Sequence, residues 1–374
     1  MEHIQEVILL VLVLIFLNLL QNLKRLKEQE KIKLKKSLPL VSVLIPARNE
    51  EKNIENCVTS LLQSDYPQLE IIVLDDNSAD GTYDILRELS EHHENLRVIK
   101  GKKLPPGWNG KNWACHQLSQ AARGEWFLFT DADTVHKPNS VSTALGVAQK
   151  RKSVFVSCIP GFITKTWSEK LYFPVIHFVF VALFPFKLIN YSKDSRLSFA
   201  IGPFLFINRD FYFSWGGYEA IRLEVVDDIA MARKVKENRG KISMLDGTGI
   251  LDVRFYTSFK EVWNGFSKNS YEAIGGAPHV LVALLFACYF LFIYPYISLW
   301  GAYESHQSLT IPLLQVFVIA LIKLILSIRF KISIFYGQLH PFTVIFAVLI
   351  LLNSFRLAVF KKKFEWKERL YPVE

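Results

Sequence analysis

The sequence predicts an α/β domain with a mostly parallel, doubly wound sheet, set between membrane-spanning ends. Between residues 40 and 155 short apolar runs alternate with segments of helical spacing, the pattern of parallel strands joined by crossover helices. Two of those runs end in carboxylates, Leu74-Asp75-Asp76 and Phe129-Thr130-Asp131-Ala132-Asp133. The carboxyl edge of an open α/β sheet is where ligands bind. Both ends of the chain are apolar over long stretches, in a composition that is 51% hydrophobic and holds 29 Phe.

The first element is the run 7–20 (VILLVLVLIFLNLL), which with Ile4 and Leu23 is long enough for a bilayer core of about 30 Å. No basic n-region precedes it and it has no small-residue cleavage site, so residues 1–23 read as an uncleaved anchor. Lys24, Arg25 and Lys27 open a basic linker over 24–39, which places the domain from residue 40 onward in the cytoplasm. Leu40–Ile45 is a buried strand, and 51–63 a helix with Asn49 as its N-cap. Next come Ile71–Leu74, helix 82–91, Leu96–Ile99, helix 111–123, strand 126–130, helix 138–150 and strand 153–157. Residues 171–189 are apolar with a proline near each end. A crossing there would part Asp131 from the acidic pair Asp227-Asp228, so an interfacial or re-entrant helix is expected. Further spans are expected at 280–300, 311–328 and 341–359, with Lys323 and Arg356 as unwelcome charges in the last two.

The formal charge of +9 sits largely beside membrane segments, at 24–36 and in the tail KKKFEWKER. Lipid headgroups, not nucleic acid, are its natural partner. Cys57, Cys115, Cys158 and Cys288 are scattered without a Cys-x-x-Cys, which indicates neither zinc nor a disulfide framework.

Asp131-Ala132-Asp133 supplies two hard oxygen ligands of the kind that suit Mg²⁺ or Mn²⁺ on a diphosphate. A carboxylate at Asp75 or Asp76 can accept from a uracil N3–H or a ribose hydroxyl. Lys111 opens a helix, where its charge and the free amides can hold a phosphate. No G-x-G-x-x-G comes after the first strand, whose turn reads Pro46-Ala47-Arg48-Asn49-Glu50, and no P-loop is present. Hydride transfer and P-loop ATP hydrolysis are thereby disfavoured.

The ordered set Pro-Ala-Arg-Asn-Glu, Asp-Asp-Asn-Ser-x-Asp-Gly-Thr, Gly-Lys and Asp-Ala-Asp resembles the family 2 glycosyltransferases over residues 40–275. The resemblance implies a GT-A fold, a Rossmann-like doubly wound mixed sheet. It implies that Asp76 binds uracil, that Asp131 and Asp133 hold the metal and diphosphate, and that Lys111 binds the phosphates. Pro46, Ala47 and Glu50 would line the nucleotide pocket beside Asp75. Val226-Asp227-Asp228, after Trp215-Gly216-Gly217-Tyr218, stands where that family has Glu-Asp, which makes Asp228 the base with Asp227 in support. The Gln-x-x-Arg-Trp of processive members is missing, which favours a single sugar transfer. Arg254-x-Tyr256, Gly265-x-x-Lys268-Asn269 and Trp108-x-Gly110-Lys111 look most like the membrane-bound branch tied to carotenoid and hopanoid pathways.

The sequence therefore predicts an inverting hexosyltransferase on the cytoplasmic face of the cell membrane. Its donor would be a UDP-sugar, its cofactor Mg²⁺ or Mn²⁺, and its acceptor a membrane lipid or carotenoid-type molecule. Residues 276–374 would hold two or three spans and the basic tail. The competing readings are a glycosyltransferase of cell-envelope polysaccharide and an inactive sugar-binding scaffold in the membrane.

Overall fold

The computed structural model describes residues 2–29, 38–192, 194–360, 363–366 and 369–372. Much of the basic linker 24–39 and part of the basic tail fall outside the described residues. The chain forms two compact units: a sheet unit of Leu26–Ile163, Lys187–Phe255 and Lys363–Glu374, and a helical unit of Met1–Arg25, Thr164–Phe186 and Tyr256–Lys362.

The sheet unit is built on β1 (Val41–Ala47), β2 (Leu69–Asp75), β3 (Leu96–Lys100), β4 (Trp126–Phe129), β5 (Thr134–His136), β6 (Phe155–Phe162), β7 (Leu205–Asn208) and β8 (Ile242–Val253). Their spatial order is β3-β2-β1-β4-β7-β6-β8-β5. The half made by β3, β2, β1 and β4 is parallel, as the alternating pattern predicts. Beyond it, β7 runs antiparallel to both β4 and β6, and β5 antiparallel to β8, so the sheet is mixed. Strand periodicity splits the core into two layers. Val41, Val43 and Ile45 pack on one face with helices Ile54–Leu62 and Ser140–Arg151, while Leu44 packs on the other with helices Gly110–Ala121 and Asp227–Glu237. Each such buried aliphatic side chain is worth about 1.5–3 kcal/mol.

One local expectation is corrected. Asn49 does not cap the first helix of the sheet unit; that helix starts at Ile54, and Asn49 sits in the left-handed region at φ 52°. Its side-chain oxygen accepts instead from the Ala79 N–H at 2.9 Å, and Glu51 accepts from Gly81 N–H at 3.1 Å. These bonds stitch the turn after β1 to the turn after β2, and asparagine tolerates the positive φ that the stitch needs.

Among the described residues, four helices are long and apolar enough to cross a membrane, His3–Leu26, Pro278–Glu304, Thr310–Arg329 and His340–Phe360. The segment expected to be interfacial is a broken helix. Trp167–His177 starts with a Thr166–Glu169 capping box, contains Pro174, and passes into a π-helical turn at Phe178–Leu183. Polar side chains of the long helices meet its irregular backbone. Asn18 donates to Ala182 O at 2.8 Å, and Asn22 donates to Val181 O at 2.9 Å and to Phe184 O at 2.7 Å. Lys323, an unwelcome charge in sequence, donates to Pro174 O at 3.2 Å. Non-helical backbone in an apolar unit needs such partners.

Candidate active site

Four charged side chains meet beyond the carboxyl ends of the parallel strands. β1 is flanked by β2 and β4, with Ala47 level with Asp75 and Leu44 level with Phe129. The ends carrying Pro46-Ala47, Asp75-Asp76 and Thr130-Asp131 therefore share one edge. Asp131 leaves β4 and takes the Lys111 ammonium at 3.0 Å; the same ammonium lies 3.6 Å from Asp227. Burial works against the Lys111 charge, and the carboxylates of Asp131 and Asp227 outweigh it, holding the ammonium well above the usual lysine range.

The meeting has a structural cause. Helix Gly110–Ala121 begins at Asn109, whose side chain accepts from the Lys111 N–H at 3.3 Å. Asn112, one position beyond Lys111, donates to the carbonyls of Ile221 and Glu224, both at 2.9 Å. The segment that leads into Asp227-Asp228 is thus tied to the turn that presents Lys111. Gly216 and Gly217 both have positive φ, 95° and 54°, and a Cβ at Gly217 would strike the Tyr212 ring. That glycine turn delivers Tyr218, whose hydroxyl donates to Asp227 at 2.9 Å.

Asp227 and Asp228 open helix Asp227–Glu237, where the helix dipole favours anions. Asp228 accepts from the Gly202 N–H at 2.8 Å through one oxygen and from its neighbour Ile229 N–H at 2.7 Å through the other. Burial, and next the Asp227 carboxylate, push the Asp228 carboxyl up to about 7 against the pull of Lys111 and the two N–H donors. A carboxyl tuned to that range can accept a proton near neutral pH.

Gly202 is the residue that sequence reasoning missed. A Cβ built on it would lie 3.5 Å from Asp228, 3.7 Å from Asp131 and 3.8 Å from Lys111. It faces the space among all three, and a main-chain N–H leaves no trace in a sequence beyond the Gly-Pro turn signal at 202–203.

The other expected residues occupy the same edge nearer β2. Asp75 accepts from Ser78 N–H at 3.4 Å, and buried Asp76 comes directly after it, its N–H bonded to Ala47 O at 2.8 Å and its carbonyl to Arg48 at 2.6 Å. Glu50 lies in the turn after β1, its N–H bonded to Thr82 at 2.7 Å. Asp133 lies between β4 and β5, half-buried. Among the described residues no group of three or more His, Cys, Asp or Glu could hold a metal by itself. Asp131 and Asp133 fit a divalent cation only as a two-carboxylate set of hard donors, with the remaining ligands coming from a diphosphate or water.

The sequence profile described as Glycosyl transferase family 2 matches residues 42–213. The chain is 23% identical over 354 residues to the 4,4'-diaponeurosporenoate glycosyltransferase of Staphylococcus haemolyticus, with 89% of each protein covered. The same enzyme of Staphylococcus aureus is 25% identical over 351 residues, covering 89% of this chain and 88% of the relative. In fold, the chain is similar to a mannosyltransferase of Pyrobaculum calidifontis solved with GDP-Man and Mn²⁺, with a TM-score of 0.53, 18% identity, and 96% and 99% of the two chains covered.

Proposed function

Since this chain is a family 2 glycosyltransferase with a GT-A-like sheet, we propose that it moves one sugar, with inversion, from a UDP-sugar to a hydroxyl or carboxyl group of a membrane-associated lipid or carotenoid-type acceptor. The observation that carries this reading is the convergence of Asp131, Lys111, Asp227 and Asp228 around Gly202. It supplies a cation and a carboxylate for a leaving diphosphate beside a second carboxylate of raised pKa.

In this reading Asp76, Asp75, Pro46, Ala47 and Glu50 receive the nucleoside at the β1–β2 edge, and Lys111 takes the phosphates. Asp131 and Asp133 would hold Mg²⁺ or Mn²⁺, which supplies Lewis-acid neutralisation of the leaving diphosphate when bound. With a hydroxyl acceptor, Asp228 takes its proton as the oxygen attacks the anomeric carbon on the face opposite the departing group, whereas a carboxylate acceptor attacks with no proton to lose; Asp227 pairs with Lys111 and, as a neighbouring like charge, raises the Asp228 carboxyl. The carotenoid-type acceptor is supported by the distant relatives, and membrane residence by the four long apolar helices. The basic residues after the first helix support a cytoplasmic sheet unit.

The test is nucleoside diphosphate release from a panel of UDP-sugars and GDP-mannose by the purified full-length protein, with Mg²⁺, Mn²⁺ or EDTA. Diacylglycerol and 4,4'-diaponeurosporenoate in vesicles serve as acceptor probes, and Asp228→Asn as the control. UDP release that needs both a divalent cation and a vesicle acceptor is the expected result. Turnover of Asp228→Asn at the wild-type rate on diacylglycerol, the hydroxyl acceptor, would remove the base assignment, and transfer to soluble acceptors alone would remove the membrane acceptor.

A further inference from the structure

Behind the site lies a buried polar cluster to which the transfer chemistry gives no role. Thr130, Thr134, His136 and Ser140 are each 3% exposed or less. Thr130 stands between the end of β4 and Asp131, and His136 closes β5. The Thr130 hydroxyl lies 2.7 Å from Pro203 O and 2.9 Å from His136 Nε2. A carbonyl can only accept, so the threonine proton goes to Pro203 and Nε2–H must donate to Thr130. Nδ1 then accepts from the Ser140 hydroxyl at 3.3 Å. Burial pushes the His136 imidazole down to about 3, so the ring is neutral at any working pH.

We infer that Thr130 and His136 are positioning residues for the transfer, forming a strut that holds the Gly202-Pro203 turn, and through it the Gly202 N–H, against Asp228. The inference rests on the proposed role of Asp228. The Pro203 carbonyl shares its peptide with the Phe204 N–H, which donates to Ile201 O at 3.1 Å, and that oxygen shares its peptide with the Gly202 N–H, so a hold on Pro203 O passes to the amide that faces Asp228. The other side of the turn is held as well: Ser157 accepts from the Ile201 N–H at 2.9 Å and donates to Ile201 O at 3.3 Å. The same cluster grips the donor side, because Thr134 donates to Asp131 O at 2.7 Å and lies 3.1 Å from Thr130. One buried node therefore sets the spacing between the carboxylate assigned to the diphosphate and the amide that aims the base. Two groups that must act on opposite faces of one anomeric carbon, one on the attacking oxygen and one on the departing diphosphate, need that spacing to well under ~1 Å.

The experiment uses the full-length protein in vesicles with the donor and acceptor probe that give turnover. Thr130→Val keeps the shape and removes the hydroxyl, whereas Thr130→Ser restores it. Thr130→Val is expected to lower kcat about ten- to a hundredfold with KM for the UDP-sugar within about twofold, and Thr130→Ser to recover most of the rate. If Thr130→Val does not fold, His136→Gln, whose amide N–H can stand in for Nε2–H, and His136→Leu, which has none, put the same question. Retained kcat in the Gln variant with a fall in the Leu variant supports the strut. Unchanged kcat in Thr130→Val or His136→Leu, while Asp228→Asn is inactive, overturns the strut and leaves the base standing. Full activity of Asp228→Asn overturns the base reading itself.

Discussion

Asp227→Asn tests the electrostatics of the site most directly. Asp228 owes its pKa of about 7 first to burial and second to the Asp227 carboxylate. Asparagine is isosteric; its carbonyl oxygen can still accept from the Tyr218 hydroxyl, now 2.9 Å from Asp227, while its charge is gone. A neighbouring like charge within about 4–6 Å raises a carboxyl by about one unit or more, each unit being about 1.4 kcal/mol. The Asp228 base works as the carboxylate, so kcat/KM rises with pH through its pKa. In wild type that rising limb is centred near pH 7. In Asp227→Asn it moves down by about one pH unit, remaining above the usual carboxylate range because burial persists. Stability carries the same sign. A carboxyl raised in the folded state contributes stability that is full below its ordinary value of 3.8 and is lost as pH rises through about 7. Asp227→Asn should thus lose less thermal stability than wild type between about pH 5 and pH 8. The assay is a pH profile of UDP release at subsaturating acceptor, paired with thermal midpoints. A limb that stays in place or moves to higher pH refutes the coupling.

Three other substitutions probe the same geometry. Gly202→Ala should fold normally, because its Cβ meets Asp228, Asp131 and Lys111 at ordinary contact distances of 3.5–3.8 Å. It should nonetheless lower kcat/KM for the UDP-sugar about tenfold by filling the space they enclose, read by steady-state kinetics against an unchanged melting point. Glu70 is held below the usual range because Ser42 and Arg123 bond its carboxylate and offset its burial. Its stability contribution is present above pH 4.5 and lost as pH falls through its lower folded value, so Glu70→Gln should destabilise by about 1–3 kcal/mol at pH 7 and less at pH 3. Asn22→Leu strips partners from Val181 O, Phe184 O and Phe186 N–H, and should lower the melting point in detergent while Asn22→Gln loses less.

The parallel half of the fold was legible because its strands are buried on both faces and so read as near-continuous apolar runs, Ile71–Leu74 and, with Ser42 as its one polar residue, Leu40–Ile45 above all. The antiparallel half was not. β7 is four residues inside the longer apolar stretch 199–207, and β5 is three residues after a turn, too short for any period to show. β8 carries Asp246-Gly247-Thr248-Gly249 in its middle, which reads as a turn. Within the site, Asp131, Lys111, Asp227 and Asp228 announced themselves by charge at strand and helix ends. Gly202, Thr130 and His136 act through a main-chain amide, a hydroxyl and a neutral ring, and such groups acquire meaning only from what the fold sets opposite them. Asn18 and Asn22 fall between these cases. Four apart at the end of a long apolar run, they share one face of the first helix, and that face turns out to serve irregular backbone.

The long helices also carry a topology. Gln315 donates to the Gln5 carbonyl at 2.7 Å, which sets the start of helix Thr310–Arg329 at the depth of the start of the first helix. Residue 26 lies about 30 Å further along that first helix, on the opposite face. The turn 305–309 then shares a face with the N-terminus. Helix Pro278–Glu304 runs toward that face, Thr310–Arg329 away from it, and His340–Phe360 toward it again. If all three of these helices cross, His340–Phe360 ends on the N-terminal side, and Lys361, Lys362 and Lys363 after it in sequence then run against the positive-inside rule. Arg356 is no obstacle, being close enough to the helix end for its side chain to reach the interface. With all of the last three helices crossing, topology reporters fused to either terminus read the same side, and Gln307→Cys reacts with an impermeant maleimide from that side. A C-terminal reporter on the other face would mean that one of the last three helices does not cross.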